Sequence, residues 1–398
     1  MTISTRLTIR GNGYVVKVDE PFTDDSGYVD LNCTTDVKTI FQIDNGGDVL
    51  LEDMTIMGGG QNVGTGTGAG THDVHTYAVV VAHEMSGNNN IYQTTSTGVL
   101  EMRHVTITRS QGGLFTAFGT KVYAENCNLV RNARYCGGGL YNRGFLVMVG
   151  SSLSENRSLS SAGGGAAAEN QGDMYMNNCV ICNNGSTEVG GAINQFNAGN
   201  IQTGNGRITR LYLMNSTLTG NFSSWTSDGG GGIGSHSNVA CTNLDIYAVN
   251  VLLCNNYYYN TANQTLTDSD FFVKDGTTMA DNNLLYSVYG RINASSSVSP
   301  HVTECWQLSD PSAQSVFKGY TQNARVYEQS KTTAPITGAA LESDADQPLA
   351  RYAPIFDGSL ADVGTDGVYT YFDASDWRHE VVKMSYKTIE GTMTALGK

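Results

Sequence analysis

Apolar residues along this chain alternate with a period of two, pause at a polar pair, and then restart. Leu211-Tyr-Leu-Met-Asn-Ser-Thr-Leu-Thr-Gly-Asn221 shows the pattern in full: apolar, any, apolar, any, Asn, small, any, apolar, any, any, Asn. The same template recurs at Val122–Asn132 (VYAENCNLVRN), Leu146–Asn156 (LVMVGSSLSEN), Met174–Asn184 (MYMNNCVICNN) and Ile246–Asn256 (IYAVNVLLCNN). Looser copies run Val49–Gly59 and Leu100–Ser110, and Leu7–Gly11 is an eighth, partial one. From Ser110 onward the last template positions fall at 110, 132, 156, 184, 221 and 256, so the steps are 22, 24, 28, 37 and 35 residues.

Period two followed by a restart describes a short strand, a corner and a second short strand, and helical spacing is missing from the repeats. Gly and Asn mark the turns because they tolerate positive φ. A short unit repeated at such steps is the mark of a solenoid. The expected fold is all-β: a right-handed parallel β-helix solenoid with an irregular C-terminal capping segment. Its stacking predicts that Asn132, Asn156, Asn184, Asn221 and Asn256 form a column of mutually hydrogen-bonded amides. It also assigns faces: Val122, Ala124 and Leu129 point inward, and residues 123 and 125 outward.

In chain order, the helix is expected over residues 1–290, with a loop insertion at about 61–98 within which Tyr77–Ala82 reads as a strand. Glycine-rich runs at Gly137–Gly144, Gly163–Asn170, Gly190–Asn194 and Gly229–Gly234 read as turns, each followed by a further short strand. They lack the Lys-Ser/Thr of a phosphate loop. Residues 291–398 leave the repeat, and five of the six prolines lie after residue 299. This segment is expected to cover or extend the open end, since an exposed edge invites pairing with other chains.

Composition agrees with a turn-rich β protein: 47 Gly and 15% charged residues in 398. A net charge of −14 disfavours nucleic acid and anionic membrane surfaces as partners. No stretch is long and apolar enough to span a bilayer. The start, MTISTRLTIRGNG, has no signal-peptide core and enters the repeat almost at once, as expected of a processed or truncated chain with an added Met. In the repeat register Cys127 and Cys179 share a column with Ser151 between them, and Cys182 and Cys254 share another. Two repeats apart is roughly 9.6 Å, beyond disulfide reach, so these four read as small buried side chains. Cys33, Cys136, Cys241 and Cys305 find no place in the register. The lone Cys179-Val-Ile-Cys182 does not make a zinc site.

The alternation of GG[GA]-I/L-x-N with L-x-L-x-N-S-x-I-x-x-N resembles the pectin-lyase-like β-helices of bacterial surface proteins. Among these are the polymorphic outer-membrane protein repeats and the choice-of-anchor Q proteins. Asp281-Asn-Asn-Leu-Leu285 and Gly358-Ser-Leu-Ala-Asp-Val-Gly364 are similar to closing segments of the latter. The resemblance covers most of residues 7–290 and implies secretion or cell-surface display. It reports architecture rather than activity.

Three groups carry candidate chemistry. The outward column Glu101, Tyr123, Val147, Tyr175, Tyr212, Tyr247 stacks tyrosines on successive repeats. Such a strip can hold sugar rings or simply stabilise the sheet. Residues 100–145 hold a basic island (103, 109, 121, 131, 134, 143) in an acidic chain. In this fold the resemblance implies a Lys or Arg base for a polysaccharide lyase, which makes Lys121, Arg109 and Arg131 the catalytic candidates. The paired acids of a polygalacturonase are not found. Sign alternation along the outer columns instead suits inter-repeat ion pairs. His72, Asp73 and His75 in the insertion are candidate metal ligands, but they lack a fixed spacing and read first as a solvated loop. No cofactor is expected, and the sequence leaves the oligomeric state open. The expected function is a secreted or cell-surface binding or structural protein, adhesin-like, with a polysaccharide or surface glycan as partner. The alternative is a polysaccharide lyase or glycoside hydrolase acting on an acidic polysaccharide.

Overall fold

The computed structural model describes residues 1–18, 39–59, 77–82, 96–134, 136–158, 164–196, 208–224, 229–235, 243–249, 251–253, 256–260, 265–273, 279–285, 288–293, 301–303 and 306–307. Among them there is no helix, and all but one of the strand pairings are parallel. The chain passes through three curled sheets in rotation, and each pass pairs with the next. Lys121–Glu125 and Asn128–Val130 lie in the first sheet, Ala133–Arg134 in the second and Leu140–Asn142 in the third. The next pass returns through Phe145–Val149, Ser152–Ser154, Arg157–Ser158 and Ala168–Asn170, in register with the first.

The register follows the template. Val122 pairs with Leu146, then Met174, Leu211 and Ile246, and all of these side chains are buried in one continuous core. The second strand of the template contributes Ile56, Ile107, Leu129, Leu153, Ile181, Leu218 and Leu253 to the same core. The partial copy at the start is real: Arg6–Arg10 pairs with Asp48–Glu52. Val79–Val81 is the strand within the insertion. Pairing continues through His301–Thr303 and Trp306–Gln307; the rest of the C-terminal segment, from residue 308, lies outside the described residues.

Two corners bound the second template strand, and left-handed backbone makes both. The fifth template position holds Asp53, His104, Asn126, Gly150, Asn178 and Asn215, all at φ between 48° and 57°. The tenth holds Gly58, Arg109, Arg131, Glu155, Asn183 and Gly220, again all positive. Asn and Gly accept this conformation; for Arg and Glu it costs on the order of 1 kcal/mol each. The glycine-rich turns make a third such corner. At Gly165 (φ +70°) a Cβ would sit 2.1 Å from the Ala168 carbonyl oxygen.

The asparagine column forms an unbroken, one-directional ladder. Asn132 donates both its main-chain N–H and its Nδ2 to Oδ1 of Asn156, at 3.0 and 3.1 Å. Asn156 does the same to Asn184, Asn184 to Asn221, and Asn221 to Asn256. Each Nδ2 also donates to a main-chain carbonyl of the preceding repeat, such as Leu129 or Leu153, at 2.9 Å. The last acceptor is Asp270, whose Oδ1 takes both donors of Asn256 and whose Oδ2 takes the Arg291 N–H at 2.7 Å. A second ladder, absent from the sequence analysis, runs Thr116, Asn142, Asn170, Gln195 inside the third sheet and ends on Thr209 of the first. There Gln195, and not Asn194, pairs with Asn170.

The cysteine reading holds where it is described: Cys127, Cys179 and Cys182 are small buried side chains, as is Cys136. Burial pushes the thiols of Cys127 and Cys179 up to about 12. Cys33, Cys241, Cys254 and Cys305 lie outside the described residues.

Leu218→Ala should lower the unfolding free energy by about 2–5 kcal/mol through the cavity it leaves. Asn184→Ala should cost on the order of 1–3 kcal/mol for each buried group it orphans. Asn184→Asp should be worse still, because a carboxylate cannot donate to the Leu153, Cys182 and Asn221 oxygens now facing Nδ2. Chemical denaturation checks all three; parent-like midpoints would refute the ladder's structural role.

Candidate functional site

The outer column is built as its register predicts. Glu101, Tyr123, Val147, Tyr175, Tyr212 and Tyr247 are consecutive partners. The rings of Tyr175 and Tyr212 stack at 4.9 Å between centroids with planes 13° apart, and Tyr247 follows at 5.5 Å and 31°. Phe145 bridges the gap at Val147, lying 6.1 Å from Tyr123 and 5.3 Å from Tyr175. The four tyrosines, Phe145, Val147, Val149 and Met214 form a second apolar cluster outside the first sheet.

Stacking along the column has a chemical consequence. Each face of the Tyr212 ring meets a neighbouring ring, and the residue is only 1% exposed. Its hydroxyl donates to Asp245 Oδ2 at 2.7 Å. Burial and that hydrogen bond hold the phenol above its ordinary range. Arg210 sits beside it, 3.4 Å from Asp173 and 3.9 Å from Asp245. Tyr123, Tyr175 and Tyr247 are half-buried. The strip therefore offers ring edges rather than open ring faces.

The three cationic candidates do not converge. Lys121 is exposed at the start of its strand, between Val99 and Phe145 in register. Arg109 and Arg131 occupy equivalent left-handed corners at the far end of the second template strand. Arg131 donates from Nε to Glu155 Oε2 at 2.7 Å, with both side chains nearly buried. This is the inter-repeat ion pair that sign alternation predicts. Arg103 instead pairs with Glu101 on its own strand. Arg134 and Arg143 are buried on other parts of the repeat, so the basic island of the sequence is no single patch in space. His72, Asp73 and His75 lie outside the described residues. Among the described residues no group of three or more His, Cys, Asp or Glu is placed to hold a metal ion.

Sequence reasoning missed a buried polar cluster on the outer side of the third sheet. The column Phe115, Tyr141, Glu169, Asn194 is in register. Phe115 and Tyr141 stack at 5.6 Å, and Tyr77 leans on both. The Arg134 guanidinium lies 4.2 Å from the Tyr77 ring centroid, and the Tyr77 hydroxyl donates to the Cys136 carbonyl at 3.0 Å. Asn194 Nδ2 donates to Glu169 Oε2 at 2.8 Å, and Gln171 Nε2 to Oε1 at 3.3 Å. Burial nevertheless pushes the Glu169 carboxyl up to about 7, against the pull of those donors. Burial also raises the Tyr141 phenol, with Arg143 opposing it. The only sequence signal was a glutamate beside a run of alanines at 166–168.

Glu169 ties stability to pH. An unfolded glutamate ionises near 4.5, whereas in the fold Glu169 ionises near 7. Between these values the folded state holds a proton that the unfolded state has lost, so stability falls as pH rises through this window. Asp270, raised by burial from 3.8 to about 7, acts in the same direction. Glu169→Gln should remove its share of the slope and make the fold more stable above pH 7. The Asn194 amide can turn to accept from the new Nε2, because its Oδ1 has no partner. Denaturation midpoints of parent and variant from pH 4 to 8 check this; parallel profiles would refute it.

Comparison with protein-family models, with characterised proteins and with solved structures returns no match for this chain.

Proposed function

We propose that the chain is a right-handed parallel β-helix of the pectin-lyase-like kind, secreted or displayed at a cell surface, with a binding or structural role toward glycans. The hand is the one that parallel crossovers favour. The observation that carries the reading is the tyrosine column along the stack, since half-buried phenols in a row suit a chain of sugar hydroxyls. Tyr212 is enclosed by its neighbours, so it sets the spacing of the strip. Contact with a glycan falls to the edges of Tyr123, Tyr175 and Tyr247. A binding role also fits the cations better than a uronate lyase would. Lys121 stands apart from Arg109 and Arg131, and Arg131 is tied to Glu155.

A shallow strip of ring edges predicts weak binding, with Kd near about 1 mM, and little salt dependence for a neutral glycan. NMR titration with neutral oligosaccharides should move Tyr175 and Tyr247 resonances, and Tyr175→Ala should abolish the shifts. If no glycan perturbs these residues, the glycan reading fails. Incubation with a panel of uronate polysaccharides should release no unsaturated product; robust turnover would instead favour the lyase.

A further inference from the structure

The first repeat presents a sheet edge that nothing among the described residues covers. Thr2–Ile3 pairs on one side only, with Phe41–Ile43. Arg6–Arg10 and Val15–Lys17 both pair only with Asp48–Met57. The Thr5 carbonyl accepts from Asp48 N–H, and Gly11 N–H donates to the Glu52 carbonyl. By the alternation of a parallel strand, the main-chain groups of Arg6, Thr8 and Arg10 therefore face the open side. Likewise the Tyr14 carbonyl and the Val18 N–H are used inward, on Thr55 and Met57, which leaves Val15 and Lys17 facing out. Such a row of main-chain donors and acceptors is a template for an added strand.

The side chains specify what kind of strand. Arg6 and Arg10 are 89% and 68% exposed, yet each already leans on an acid of the next repeat: Asp48 at 3.6 Å and Glu52 at 2.8 Å. The column through Arg10 continues Glu52, Arg103, Glu125. The sign alternates over these four positions, so an acid is the charge that would extend the pattern on the open side of Arg10. Lys17 adds a third exposed cation to this edge in a chain of net charge −14. Leu7 and Ile9 pack on the core but remain half-buried, and Tyr14 and Val15 are 75% and 50% exposed.

We infer that this edge docks an extended acidic segment of another protein, which adds a strand to the stack. The complementary pattern is acid, apolar, any, apolar, acid. Its carboxylates lie over Arg6 and Arg10, and its apolar residues cover Leu7 and Ile9. Asp48-Val-Leu-Leu-Glu52, which pairs with the other side of the same strand, is an example of it. The same edge of a second copy fits poorly, because antiparallel pairing about Thr8 sets Arg6 against Arg10.

The test is fluorescence anisotropy of the full chain with two labelled peptides, one carrying DVLLE and the other KVLLK between glycine-serine flanks. The acidic peptide should bind, and more weakly as salt is raised, while the lysine peptide should not. The Arg6→Glu/Arg10→Glu double variant should reverse that preference. Thr8→Pro removes an edge N–H that makes no bond among the described residues, so it should weaken binding by about tenfold or more at an unchanged melting temperature. If Thr8→Pro melts early, the charge reversal decides. No binding of the acidic peptide, equal binding of both peptides, or a preference unmoved by charge reversal would overturn the inference. So would self-association of the chain through this edge in sedimentation.

Discussion

The structure depends on parallel strands stacked in register, and the asparagine ladder is where that constraint acts most directly. In-register stacking sets equivalent template positions above one another, which suits apolar columns and requires charged columns to alternate in sign, as Arg10, Glu52, Arg103 and Glu125 do. An amide is a side chain that can both donate to and accept from a copy of itself. Asn132 to Asn256 use this property at a buried corner, where turn N–H groups would otherwise be orphaned. Because every donor points the same way, the bonds polarise one another along the column. The apolar columns supply the bulk of the stabilisation, and the ladder adds the requirement that an amide stand at this corner of each repeat from Asn132 to Asn256.

With the interior occupied by ladders and aliphatic columns, chemistry is left to the outward positions. Two outer clusters stand apart from each other, on different sheets. One is aromatic, around Tyr212, and the other mixes Tyr77, Tyr141, Arg134 and Glu169. In both, a ring stack lies beside a carboxylate in a dry setting. Asp245 accepts a phenol hydrogen bond, and Glu169 accepts amide donors. The difference between them is electrostatic. Arg210 stands beside Asp245, whereas burial dominates at Glu169 and raises its carboxyl to about 7.

Much of this was legible in the sequence wherever a periodicity of two met a fixed corner. The inward columns, the Asn column and the tyrosine register all follow from that alone. What escaped did so for identifiable reasons. Arg109, Arg131 and Glu155 adopt left-handed corners that their residue types do not announce. The second ladder changes from Asn142 and Asn170 to Gln195 and then Thr209, so no one residue type repeats along it to mark a column. Asp270 follows Asn256 by only 14 residues along the chain, too close to look like the next member of a column with steps in the twenties and thirties. Nor does register alone reveal that stacked tyrosines cover one another's faces.

The direction of the ladder bears on how such a chain can change its length. From Asn156 to Asn256 each rung receives two hydrogen bonds on one side and passes two on from the other, so these junctions are chemically alike. A duplicated repeat inserted anywhere between Asn132 and Asn256 would meet the partners it needs on both sides, whatever the length of its loops. Asp270 is different: both of its carboxyl oxygens accept, from Asn256 and Arg291, and its side chain carries no amide N–H to pass on. It acts as a terminator. Gene duplication can therefore lengthen the column freely upstream of this residue, while growth past it would first require that the acid become an amide.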